Sequence, residues 1–190
     1  MHIPSVVSKR IFDIVFSIIG LLLIGWLILL LIVVSRIDTK GSGIFRQQRI
    51  GRYGQPFVIY KIRSMHVDTG AISPIGRTMR RFKLDELPQL FNILAGSMSF
   101  VGPRPDIPGY YDVLEGEDRR VLNLKPGLIS RAAIKYYNEE KLLSEQADPS
   151  YYNDHIIFPD KVRMNLEYYN NQGLIEDFKV IFLFIRRFFT

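Results

Sequence analysis

The stretch Leu84-Asp85-Glu86-Leu87-Pro88-Gln89-Leu90 sets two adjacent carboxylates directly behind a basic run, Arg77, Arg80, Arg81 and Lys83. Proline is tolerated in the first turn of an α-helix but not in its interior. The spacing therefore predicts a helix with Asp85 as N-cap, running through Leu90 and Ile93. Free backbone N–H groups at such a start favour anions, and nearby arginines add charge-assisted hydrogen bonds to phosphate oxygens. Taken alone, these residues also fit an ordinary capped, solvated acidic helix start.

On the N-terminal side, Ile44–Arg49 and Phe57–Arg63 are β-rich runs joined by the turn-rich segment Ile50–Pro56, which predicts a hairpin. Alternation along the second run puts Val58, Tyr60 and Ile62 on one face and Ile59, Lys61 and Arg63 on the other. Val67–Pro74 reads as a loop and Ile75–Lys83 as a basic helix, with Arg77 and Arg80 on one face. On the C-terminal side, Gly102-Pro103-Arg104-Pro105 is rigid and extended because each proline fixes its own φ and restricts its predecessor. That rigidity suits Arg104 to bidentate contact with a phosphate or carboxylate, or makes it an exposed residue on a plain turn. Asp112–Leu124 reads as a charged helix, Lys125-Pro126-Gly127-Leu128 as a turn, and a further helix carries Leu166 and Tyr169 on one side. Leu174–Phe189 carries an apolar helical stripe beside Lys179, Arg186 and Arg187, the pattern of a core helix or of one lying on a membrane.

The 190 residues suffice for one modest domain and a membrane element, expected at 41–190 and 1–40. Ile11–Val34 is apolar except for Asp13, and at about 36 Å it is long enough for a bilayer core of roughly 30 Å. Lys9 and Arg10 precede it, and Arg36 and Lys40 follow it. Cations at both ends suit a helix that returns to the face it entered, with Gly20 and Gly25 permitting a bend; a straight span is the alternative. A net charge of +6 calls for an anionic partner, and the absence of cysteine excludes disulfides and thiolate chemistry. His2, His66 and His155 are too scattered for a zinc motif, and no nucleic-acid-binding motif occurs.

The continuation Asn92-Ile93-Leu94-Ala95-Gly96-Ser97-Met98-Ser99-Phe100-Val101-Gly102-Pro103-Arg104-Pro105 decides among these readings. With Asp85–Leu90 it resembles the bacterial sugar transferase family, whose pattern runs D-E-L-P-Q-L-x-N-x-L-x-G-x-M-S-x-x-G-P-R-P. The resemblance extends over roughly residues 8–187. It implies an α+β fold, mostly helical, with a short β-hairpin, an N-terminal re-entrant membrane helix and amphipathic interfacial helices. It also implies a membrane-associated phosphoglycosyl transferase that takes a UDP-sugar as donor and polyprenyl phosphate as acceptor, on the cytoplasmic face of the bacterial inner membrane. Asp85 is then the nucleophile and a ligand of Mg2+, Glu86 is essential beside it, and Lys61, Arg63, Arg80 and Arg104 hold phosphates or nucleotide. Arg77 and Arg81 are left as headgroup contacts. The chain departs from the family at two places. Gly25-Trp26 stands where the family has a helix-breaking Ser-Pro, and Tyr137 stands where related sequences often carry arginine. A membrane-anchored basic interaction module without catalysis is the rival reading.

Overall fold

The structure, a computed structural model, describes residues 3–188. It is mostly helical, with two small two-stranded sheets and one long apolar helix at the N-terminal end. Helix α1 covers Ile3–Thr39 as one continuous hydrogen-bonded helix that includes Gly25 and Trp26. Packing divides the chain into two compact units. One holds the chain up to Lys9, Ile50–Gln55 and everything from Ser99 on; the other holds Arg10–Arg49 and Pro56–Met98. From Arg10 onward the apolar helix thus shares a unit with the acidic pair.

In the unit containing Asp85, strands β1 (Ile44–Ile50) and β2 (Pro56–Ile62) form the predicted hairpin sheet. Along β2, Val58 is 43% exposed, while Ile59 on one face and Ile62 on the other are both buried, so each face meets the protein at one of them. Helix α2 (Pro74–Arg81) is capped by Ser73, whose hydroxyl accepts from the Gly76 N–H at 2.8 Å, with Pro74 in its first turn. The helix predicted from Asp85 is corrected. Leu84–Glu86 is a single 3-10 turn, and α3 (Gln89–Ala95) starts only after Pro88, which is its N-cap. Ile59, Ile62, Met79, Leu90, Ile93 and Met98 are buried in this unit.

Arg10 closes the far end of α3. Its guanidinium donates to the carbonyls of Ile93 and Leu94, both at 2.7 Å, sharing Ile93 with the Gly96 N–H at 3.0 Å. Lys9, its neighbour, belongs to the other unit and donates to Asp177 at 2.5 Å, Tyr168 at 3.1 Å and the Val101 carbonyl at 3.0 Å. Both residues were expected simply to flank a membrane segment; instead they are engaged inside the protein.

The other unit is organised on a parallel pair absent from the sequence reading, β3 (Ser99–Val101) beside β4 (Gly127–Ile129). Gly102 and Gly127 let these backbones meet: the Gly127 N–H donates to Pro103 at 2.8 Å, and the Gly102 N–H to Ile129 at 3.0 Å. The predicted helix at Asp112–Leu124 is replaced by 3-10 turns at Tyr111–Val113 and Asp118–Asn123. Short helices follow: α4 (Arg131–Lys135), α5 (Glu139–Ser144) and α6 (Pro149–Tyr152). A π-turn at Asn153–Ile157 leads into α7 (Phe158–Asn171), and α8 covers Leu174–Phe188. Tyr111, Val121, Leu122 and Val162 form one core cluster, and Val101, Leu124, Tyr168 and Val180 another. Phe189 lies outside the described residues.

A Cβ at Gly127 would stand 2.1 Å from the Gly102 nitrogen, whereas one at Gly25 meets nothing within 4 Å. Gly127→Ala should therefore cost about 1–3 kcal/mol, and Gly25→Ala should be neutral or stabilising by up to about 1 kcal/mol. Thermal unfolding of the two variants in detergent checks both.

Candidate active site

Asp85 and Glu86 sit in a turn whose geometry is set by its neighbours. Lys83 adopts a left-handed conformation (φ 55°), uncommon for a residue with a Cβ, and turns the chain from α2 into the 3-10 turn. Both carboxylates are 7% exposed. Lys61 reaches over from β2, its ammonium 3.4 Å from Glu86 Oε1. Arg80, in the last turn of α2, donates to the Ser64 hydroxyl at 2.8 Å, which fixes its guanidinium just after β2. Burial, and next the adjacent Glu86 charge, push Asp85 above the usual carboxylate range, while Lys61, Lys83 and Arg80 pull it back. Asp85 Oδ1 is buried without a hydrogen-bond partner, an unusual state for a carboxylate oxygen and one that a bound cation or incoming phosphorus centre would relieve.

The sequence reading did not single out Asn92, which is 4% exposed in α3. Its side chain accepts from the Tyr60 N–H at 3.2 Å and donates to the Val58 carbonyl at 2.7 Å, behaving as a short extra strand along β2. Its own carbonyl accepts from the Ser97 hydroxyl and from the N–H groups of Gly96 and Met98. Asn92 thus ties the strand that carries Lys61 to the helix that follows the acidic pair. The signal in the sequence was an asparagine between apolar neighbours in a short helix, a position where a polar side chain needs a buried partner.

The other expected residues are distributed differently. Arg63 donates to the Ser42 carbonyl at 2.8 Å and lies over the Phe45 ring, and it is not among the charges acting on Asp85. Arg77 and Arg81 are exposed. Arg104 belongs to the other unit, half-buried in the segment after β3. Tyr137 is also in that unit, with the Arg187 guanidinium 5.4 Å over its ring. Among the described residues no group of three or more His, Cys, Asp or Glu could hold a metal by itself. The donor set fits a hard ion such as Mg2+ that takes one or two carboxylates and fills its remaining positions from water and substrate phosphates.

Two consequences can be measured. A carboxyl group raised in the folded state keeps its proton when the unfolded chain has already lost it. It therefore destabilises the fold as pH rises from about 4 through the folded-state value, and the deficit persists above that. Asp85→Asn removes the deficit, so its melting temperature should exceed that of the wild type at pH 7, with the gap closing near pH 4. Asn92→Ala leaves two backbone groups of β2 unpaired and should destabilise by about 1–3 kcal/mol, read by chemical denaturation.

The family profile of bacterial sugar transferases matches residues 4–190. A Bacillus subtilis protein named as a candidate undecaprenyl-phosphate N-acetylgalactosaminyl 1-phosphate transferase is 40% identical over 57% of this chain and 68% of its own length. EpsL of the same organism, an uncharacterised sugar transferase, is 30% identical over 95% of this chain and 87% of its own. The UDP-glucose:undecaprenyl-phosphate glucose-1-phosphate transferase of Escherichia coli is 32% identical over 96% of this chain, which spans 40% of that longer protein. Matched over almost its whole length, with the acidic pair buried against Lys61, the chain belongs to the bacterial sugar transferase family.

Proposed function

We propose that this protein is a phosphoglycosyl transferase that moves a sugar 1-phosphate from a UDP-sugar to polyprenyl phosphate. The products are UMP and a polyprenyl-diphosphate sugar, in the first membrane step of glycoconjugate synthesis. The observation that carries this reading is Asp85: a buried carboxylate with one oxygen unpartnered, in the field of Lys61, Lys83 and Arg80. Family membership and the printed activities of the relatives support it.

In the first half-reaction an Asp85 oxygen attacks the phosphorus that bears the sugar. The bond to the bridging oxygen of UMP breaks, and UMP departs with the electron pair, leaving an acyl phosphate on Asp85. In the second, an oxygen of polyprenyl phosphate attacks the same phosphorus and the Asp85 carboxylate is released. Lys61 and Arg80 offset the charge of the diphosphate, and Glu86 holds Lys61 in place or takes a proton from the acceptor. Arg63 and Arg104 are retained as phosphate or nucleotide contacts on the family resemblance alone. Asp85 would hold Mg2+ together with donor phosphates, and the ion when bound would neutralise the phosphate charge.

The chain acts at the bacterial inner membrane, on the cytoplasmic face where nucleotide sugars are made, with α1 entering and leaving the bilayer on that one face. Support comes from the length and apolar surface of α1 and from its bonds to a single compact unit near both ends. Helix α8 is a second membrane contact: Ile175, Phe178, Phe182 and Ile185 are exposed, with Arg186 and Arg187 in its last turn.

Purified protein with Mg2+, undecaprenyl phosphate and a panel of UDP-sugars should release UMP with at least one donor. Asp85→Asn should lower that release by about 10³-fold or more, and chelation of Mg2+ should abolish it. A basic interaction module without catalysis would release no UMP from any donor, and its membrane binding would be indifferent to Asp85→Asn.

A further inference from the structure

Where α7 ends and α8 begins, an open cavity of about 730 Å³ lies wholly within the unit that lacks Asp85. Its charged lining is Arg131, Glu167, Glu176 and Lys179. Glu176 is largely buried between the two cations. Arg131 Nε donates to Glu176 Oε1 at 2.9 Å, its Nη2 donates to the same oxygen, and the Lys179 ammonium lies 3.4 Å from Oε2. Burial works to raise Glu176, but the bonds and charges of Arg131 and Lys179 outweigh it and hold it below the usual carboxylate range. Glu167 is answered by Arg163, which stands outside the lining and donates to it at 2.5 Å. The cavity therefore keeps two cations against one uncompensated carboxylate. Among the described residues Arg131 Nη1 has no partner, so that edge of the guanidinium is available to an oxyanion.

Two further features limit what could sit there. Asn171 and Gln172, also in the lining, donate to the Glu167 and Tyr169 carbonyls at 2.8 and 3.1 Å, which leaves their amide oxygens to accept from hydroxyl groups. On another side the lining turns apolar at Leu174 and Ile175. Ile175 is exposed, and Phe178 and Phe182 continue the exposed apolar face along α8 at helical spacing. We propose that this cavity is a headgroup site for one anionic phospholipid of the phosphatidylglycerol type. Its phosphodiester meets Arg131 and Lys179, its hydroxyls meet the two amides, and an acyl chain follows Ile175 and Phe178. A free phosphate offers the charge without the hydroxyl and apolar contacts. A zwitterionic headgroup brings an ammonium that the excess cation repels. The proposal rests on the membrane association inferred above and not on the chemistry of Asp85.

The full chain, stripped of lipid in a non-ionic detergent, is offered equimolar phosphatidylglycerol and phosphatidylethanolamine, and native mass spectrometry reads what is retained. The wild type should hold one phosphatidylglycerol per chain in preference to phosphatidylethanolamine. Lys179→Gln, at an exposed position, should lower the retained fraction by about tenfold, the loss of one charge-assisted contact. Lys141→Gln removes the same charge from an exposed residue outside the lining and should change nothing. Arg131→Gln should act like Lys179→Gln; because it strips Glu176 of its partner, its melting profile is checked first, and Lys179→Gln decides if it fails to fold. Equal retention of the two lipids, or none of either, would overturn the proposal. An equal loss in the Lys141 and Lys179 variants would mean diffuse attraction and do the same. Displacement of the lipid by excess inorganic phosphate would mean a small-anion site, also against it. Wild-type UMP release in the same detergent reports separately on the catalytic reading.

Discussion

Two adjacent carboxylates cannot be buried without cations to answer them, because desolvating one charge beside another of the same sign is costly. The unit that holds Asp85 and Glu86 is arranged around that demand. Strand β2 brings Lys61 to Glu86, the left-handed Lys83 folds the chain back so that its charge and that of Arg80 act on Asp85, and Ser64 holds Arg80. Asn92 then locks β2 to the helix following the pair, which keeps cation and anion in register. The result is a buried carboxylate held above the ordinary carboxylate range by burial and its acidic neighbour, with three cations pulling the other way.

Much of this was legible in the residues. The hairpin, the basic helix before the pair, the apolar N-terminal helix and the last amphipathic helix follow from period and turn chemistry. Asp85, Glu86, Lys61 and Arg80 were nominated by the family resemblance instead, and the structure brings them together. What failed has identifiable causes. Pro88 was read as a first-turn residue of a helix starting at Asp85, but it caps a later helix, and the intervening residues turn more tightly. The β3–β4 pair is short and parallel, and its signature was a pair of glycines far apart in sequence whose common purpose is visible only when the backbones touch.

The net positive charge likewise divides in a way that counting could not foresee. Lys9 is held by Asp177 and Tyr168, Arg10 by helix carbonyls, Arg52 by the Asn123 carbonyl, Arg131 by Glu176 and Lys161 by Glu139. These cations serve packing. An excess of lysine and arginine therefore overstates the anion-binding surface, and the residues that act on Asp85 are a small fraction of the basic set.

The bond from Ser35 to the Arg63 carbonyl joins the apolar helix to the chain two residues beyond Lys61. With Arg10 fixed on α3, the helix is fastened near both ends to the elements that frame the acidic pair. It cannot roll or tilt by itself. Any displacement of α1 would have to carry the Arg63 backbone with it, and so pull on the end of the strand that bears Lys61.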